Sequence, residues 1–284
     1  MRRQVLQIFL IAASSFVLSE RASGQYLGFD PSEPTVLITG SNRGIGLGFA
    51  RHYANDGWNV IATARSPGQA DVLNELATRF DRLVVEELDV LDSEELRFLS
   101  EKYASTPIDL LINNAAFHGG APEDHRLGSF NFEIFERYMA VNAYGPLAVS
   151  EAFYRSVALS DQRRIVTLTT GLAQLSVEIP LPAFNFQSIS KAAVNRAMRA
   201  LQVELREVGI TVILMSPGLV DTDGLALAAA AMQSGMPAGA GPPASVPPPL
   251  TVSEAVSAMA ATIESLDDSY DGSHIDLRGR TVPW

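Results

Sequence analysis

Cysteine is absent from the 284-residue chain. That excludes a disulfide framework, a thiolate metal site and a cysteine nucleophile, and it makes the chain indifferent to the redox state of its compartment. Basic residues are in short supply, with 21 Lys and Arg against 32 Asp and Glu for a net charge of −11. Such a surface repels phosphate backbones over most of its area, so no nucleic-acid partner is expected, although a local basic pocket is compatible with it. The four histidines show no metal-ligand spacing; they read as surface or loop residues, and no metal is expected. Apolar runs are short as well. The longest, Val5 to Leu18, falls below the roughly 20 residues a membrane-spanning helix needs, so no stable span is expected.

What the chain does have is core material: 47% of its residues are hydrophobic and 19% charged, a balance that suits one sizeable globular domain. Residues 1–25 stand apart. Arg2 and Arg3, the apolar run and then Ala22-Ser23-Gly24 have the layout of an export signal, and R-R-Q-V-L is similar to a twin-arginine signal. The expectation is an exported protein, periplasmic or secreted, with a cytoplasmic protein bearing an over-extended start as the alternative. Residues 26–34 then form a linker to a domain spanning 35–284.

Within that domain, short β-branched runs alternate with longer amphipathic ones, the pattern of parallel strands joined by crossover helices. Strands are expected at Val36 to Thr39, Val60 to Thr63, Leu83 to Asp89, Leu110 to Asn113, Ile165 to Thr169, Thr211 to Met215 and Ser273 to Asp276. Helices are expected near Gly46 to Asn55, Ala70 to Arg79, Ser93 to Lys102, Phe130 to Ser160, Gln187 to Val208 and Ser253 to Ser265. The fold class is α/β, a doubly wound parallel sheet of about seven strands with helices on both faces. An Ala/Gly/Pro-rich insertion at 224–250 interrupts the pattern. Its prolines bar a continuous helix or strand, and it reads either as a disordered insertion or as a mobile lid with Leu225 to Met232 helical.

The stretch Thr39 to Gly46, T-G-S-N-R-G-I-G, joins the first strand to the first helix. Gly40 permits the sharp turn, Gly44 lets backbone N–H groups approach an anion, and Gly46 lets the helix pack closely on the sheet. A nucleotide phosphate would sit at the helix N-terminus, ringed by Gly40, Asn42, Arg43, Gly44, Ile45 and Gly46. Four further landmarks follow in order: Asn113-Asn114-Ala115-Ala116, Asn142 in V-N-A-Y-G-P, Ser190-Lys191-Ala192-Ala193, and Ser216-Pro217-Gly218. Together these motifs resemble the short-chain dehydrogenase/reductase family, over residues 35–284. The segments I-T-G-S-N-R-G-I-G-L, V-I-A-T-A-R and G-R-T-V-P-W are most similar to its C-factor-like carbonyl reductases.

The resemblance implies a Rossmann-type fold and a nicotinamide cofactor. It places Asp89, with its neighbour Val90, at the adenine. Asn113 and Ala115 fall near the ribose and phosphates, Lys191 at the nicotinamide ribose, and Pro217 with Gly218 at the nicotinamide. A free ribose 2′-hydroxyl wants a carboxylate after the second strand, whereas here Arg65 follows Ala64 and the loop carries Arg43. Two guanidinium groups suit a 2′-phosphate, so NADP(H) is preferred over NAD(H). The partners implied are a small carbonyl or alcohol substrate and, from the family's habit of pairing long helices, a second copy of the chain in a homo-oligomer.

The resemblance also exposes a departure. Members with ordinary activity carry a Tyr four residues before the Lys, and this chain has Gln187. An amide offers no titratable proton near neutral pH. Thr170 stands where the family has a substrate-orienting Ser, with Thr169 as a neighbouring alternative, and Asn142 stands where the family supports a water relay to the Lys. The catalytic set is therefore Asn142, Thr170, Gln187 and Lys191. His118, Tyr144 and Glu178 are the other acids near the site. Two functions follow: a carbonyl/alcohol oxidoreductase impaired at its proton donor, or a nucleotide-binding pseudoenzyme with a signalling or assembly role.

Overall fold

The computed structural model describes residues 28–176, 184–223, 225 and 248–284. The signal-like segment at 1–25, Glu178 and the body of the 224–250 insertion lie outside the described residues. Among the described residues, no helix is long and apolar enough to cross a membrane.

Seven parallel strands make one sheet in the order β3-β2-β1-β4-β5-β6-β7. They are β1 (Thr35–Ile38), β2 (Asn59–Ala64), β3 (Leu83–Glu87), β4 (Leu110–Asn113), β5 (Arg164–Leu168), β6 (Thr211–Ser216) and β7 (Ser273–Asp276). Each expected strand is present, with ends shifted by one or two residues. The central strands are buried throughout because helices cover both faces, and successive side chains feed opposite cores. Val36 and Ile38 point into one core, with Phe49 and Tyr53 of α1 (Gly44–Asn55), Leu73 and Leu76 of α2 (Asp71–Ala77). Leu37 points into the other, with Leu96 and Leu99 of α3 (Ser93–Lys102).

The helix expected from Phe130 to Ser160 is not continuous, and this corrects the sequence reading. It divides into α4 (Phe132–Met139), a π turn at Ala140–Tyr144, and α5 (Gly145–Ala158). Pro146 has no N–H to give to the Asn142 carbonyl four residues back, so the regular ladder cannot pass through this point. Instead, the Gly145 N–H reaches five residues back to Ala140 O. Periodicity missed the break because apolar positions continue across it. The remaining long elements are α6 (Asn185–Glu207) and α7 (Val252–Ser265), which open and close near the expected residues. α7 packs on α1 across Gly48, where an added Cβ would stand 2.7 Å from Val252 and 2.9 Å from Val256.

Candidate functional site

Because all seven strands are parallel, the residues that follow them gather along one edge of the sheet. The chain order reverses between β1 and β4, which opens a crevice at that edge. The Thr39–Gly46 loop leaves β1 there. Gly40 has φ +68°, in the region that favours glycine, and a Cβ on it would come within 2.9 Å of Ala115 Cα. A Cβ on Gly46 would stand 2.3 Å from Gly40 O. Thr39 locks the loop to the turn after β4, its hydroxyl accepting the N–H groups of Asn114 and Ala115 at 3.0 Å. The Asn114 amide donates back to Thr39 O at 2.8 Å and Gly40 O at 3.0 Å. On the other side, Ser41 N–H donates to Thr63 O at 2.7 Å, tying the loop to β2. Among the described residues no side chain caps α1, so its first N–H groups face the turn as an anion cradle.

Around this cradle the expected cofactor residues take distinct places. Asn42 and Arg43 are exposed, Gly44 and Ile45 half-buried. Arg43 pairs with Asp223 at 3.0 Å, and both side chains are largely exposed. Arg65 is exposed directly after β2. Asp89 is half-buried after β3 and its carboxylate accepts the Leu91 N–H, while Val90 is buried against Gly145. Asn113 is buried, donating to Ser150 Oγ at 3.0 Å and Thr167 Oγ1 at 3.2 Å, and its Oδ1 has no hydrogen-bond partner among the described residues. Pro217 is half-buried, and Gly218 adopts φ +77° beside Leu277.

A second set meets on the α5–α6 side. Asn142 is fully buried in the π turn: Phe117 N–H donates to its Oδ1 at 2.7 Å, and its amide donates to Phe117 O at 3.2 Å and Ser190 Oγ at 3.1 Å. Ser190 donates in turn to the Gln187 carbonyl at 2.9 Å. This chain of bonds fixes the first turns of α6 against the β4 turn. Lys191 is buried, and its ammonium donates to Leu168 O at 2.8 Å. Burial lowers its pKa to about 8. Gln187 is half-buried one turn earlier, on the same helical face. Thr169 is buried and donates to Asn195 Oδ1 at 2.6 Å, whereas Thr170 is half-buried and caps a short turn by accepting the Leu172 N–H at 3.3 Å.

Two of the four histidines correct the reading of them as surface or loop residues. His125 and His274 are buried, the first among Tyr138 and Phe186, the second bonded to Ser216 at 2.8 Å. His118 is exposed in the loop after β4, as that reading expected. Its pKa is lowered to about 4, by desolvation first and then by the charges of Lys191 and Arg43. The hydrogen bonds that join Thr39 and Gly40 to the turn after β4, and that turn through Asn142 to Ser190, connect the glycine loop to α6. Asn195 is a positioning residue that sequence reasoning did not name, and Thr39, Asn114 and Ser190, named there only as members of motifs, hold positioning roles as well. So does Thr222, whose methyl group lies 3.7 Å from where a Gly44 Cβ would stand. Their signal was small polar residues within or beside the motifs.

Known proteins can now be set beside this geometry. Residues 34–232 match the model of the short chain dehydrogenase family. C-signal of Myxococcus xanthus is 29% identical over 189 residues, 66% of this chain and all of the relative. The chloroplastic NADPH-dependent aldehyde reductase 2 of Arabidopsis thaliana is 28% identical over 204 residues, 66% of this chain and 72% of the relative. The structure of NADPH-bound carbonyl reductase from chicken fatty liver superposes with a TM-score of 0.74 at 26% identity, covering 89% of this chain and 99% of that one. With its seven-stranded parallel sheet and its match across 34–232, the chain belongs to the short-chain dehydrogenase family, a family of oxidoreductases.

Proposed function

We propose that the protein binds NADP(H) and interconverts a small carbonyl compound and its alcohol. The observation that carries this is the convergence, at the β1/β4 crevice, of an uncapped glycine-loop helix with the Asn142–Ser190–Lys191 cluster. Asn113 Oδ1, buried without a partner among the described residues, offers an acceptor for a cofactor hydroxyl. Arg43 and Arg65 suit a 2′-phosphate, and the NADPH carried by the chicken carbonyl reductase agrees with that choice.

When bound, the reduced nicotinamide supplies the hydride. Thr170 orients the carbonyl oxygen, since Thr169 is committed to Asn195. Gln187 donates an amide hydrogen bond to that oxygen but cannot give up the proton. Asn142 pins the cleft through its side chain, which leaves its main chain and Lys191 to order the water that delivers the proton. The Lys191 pKa of about 8 suits that task near neutral pH.

Steady-state assays with NADPH and a panel of aldehydes and ketones test the reading. Turnover lost in Thr170→Ala and raised on the order of 100-fold or more in Gln187→Tyr is expected. Tight NADPH binding with no chemistry in either the wild type or Gln187→Tyr would favour the second reading, a nucleotide-binding pseudoenzyme, which Gln187 itself motivates. Export through the 1–25 segment is part of the proposal. Cell fractionation and the sequence of the mature N-terminus decide it.

A further inference from the structure

At the end of α1 remote from the glycine loop, three side chains that the oxidoreductase reading does not use come together. One ligand atom each from His52, Asp56 and Glu264 lies within 4.8 Å of the others. His52 and Asp56 are one turn apart at the end of α1, and Glu264 is in the last turn of α7. The two helices run in the same direction, since Gly48 meets Val252 and Val256 near the start of α7. Both therefore direct the negative ends of their dipoles toward the cluster.

Two details distinguish this cluster from an ordinary surface ion pair. His52 Nε2 lies 3.2 Å from Asp56 Oδ2, but the carboxylate is off the axis along which the ring would donate, and the inaccessible Nε2 has no hydrogen bond among the described residues. Two ligands side by side on one ion, with bonds of about 2.0–2.1 Å, stand roughly 3 Å apart with that same offset. The second detail is Tyr53, the neighbour of His52, whose ring meets the imidazole edge-on at 5.3 Å; it is fully buried and its hydroxyl has no partner among the described residues. Arg164 is the cation packed at this end of α7, and it is engaged with carbonyls, donating to Ile263 O at 2.7 Å and Leu266 O at 2.8 Å.

We infer that His52, Asp56 and Glu264 form a binding site for a divalent transition-metal ion of the zinc type, clamping the ends of α1 and α7. One imidazole and two carboxylates suit zinc or cobalt better than magnesium, which favours all-oxygen octahedra. The ion acts as a structural staple and does not depend on the nucleotide or on turnover.

The test uses tag-free, chelator-treated full-length protein with zinc chloride, cobalt chloride and magnesium chloride as probes. Zinc at a hundredfold excess over its dissociation constant is expected to raise Tm by about 5–10 °C. Cobalt is expected to give visible absorbance from a nitrogen-ligated site. His52→Gln and the exposed-site variant Glu264→Gln should each lose both responses while keeping the metal-free Tm, and His118→Gln should keep them. No zinc response, an equal response to magnesium, or responses retained in both His52→Gln and Glu264→Gln would overturn the site.

Discussion

Arg43 is pulled in two directions. The Asp223 carboxylate that holds it at 3.0 Å competes with any 2′-phosphate for the same guanidinium. An exposed pair of this kind contributes little, so Asp223→Asn should tighten NADPH binding by no more than about fivefold and leave NADH binding unchanged. Arg65→Ala should weaken NADPH binding by about tenfold or more with a much smaller effect on NADH. Equal effects on the two nucleotides in a fluorescence titration would remove the assignment. Lys191 makes a separate prediction. Its pKa is about 8 in the folded protein against 10.5 for the free side chain, so between those values the unfolded chain holds a proton that the folded one has released. Stability must therefore rise with pH across that window relative to Lys191→Met, by about 3 kcal/mol in all at 1.36 kcal/mol per unit. Urea unfolding of both proteins from pH 7 to 10.5 measures it. Part of the site was legible because its residue types are physically restrictive: glycine at 40 and 46, where a Cβ collides, and the buried Asn142 and Lys191, whose polar groups must find partners. Ser190 and Asn195 were not, since a buried serine or asparagine acquires its meaning from partners 48 and 26 residues away.

Gly46 sets two element-scale effects against each other. Alanine in a helix interior stabilises by about 0.5–1 kcal/mol over glycine. Here the new methyl would stand 2.3 Å from a backbone carbonyl and 2.5 Å from the Asn114 amide, both held by the loop's own hydrogen bonds. Overpacking against fixed neighbours costs about 1–3 kcal/mol. Gly46→Ala should therefore lower stability by up to about 2 kcal/mol and weaken nucleotide binding with it, whereas Gly57→Ala, with nothing within 4 Å of its Cβ, should lose only what its φ of +81° demands. Thermal unfolding with and without NADPH compares the two. Strands were readable almost to the residue because most are short apolar runs bounded by polar or turn residues, and the central ones are buried on both sides. The α4–α5 break was not, because hydrophobic periodicity is blind to a single extra residue; Pro146, four residues after Asn142, was the signal available.

At the scale of the whole molecule, the described residues build one sheet, and the chain's acidic net charge of −11 coexists with Arg43 on the glycine loop and a buried Lys191 on α6. The doubly wound order follows from alternating strand and helix patterns, so the architecture was legible from the sequence alone. The composition of the 224–250 segment showed that it departs from that alternation but could not show where its ends attach. The described residues do show that. Asp221 N–H donates to Leu250 O and Leu250 N–H to Leu219 O, both at 2.8 Å, so the chain leaves and rejoins the body at a single point. Replacing 226–247 with a four-residue Gly-Ser linker should raise stability by about 1 kcal/mol through the shorter closure, with β6 intact by hydrogen exchange; a clear loss would mean that the segment packs on the body.

That two-bond anchorage also gives the protein an engineering use. A chain that departs and returns at neighbouring residues accepts a foreign domain without stretching the sheet, and here the departure point lies within a few residues of Thr222 and Asp223, which face the glycine loop. A fluorescent module spliced in place of 226–247 would have its root beside the glycine loop, at the proposed nucleotide site. Any shift of that root on ligand binding would then become a change in light output, making this fold a ready frame for a genetically encoded nucleotide sensor.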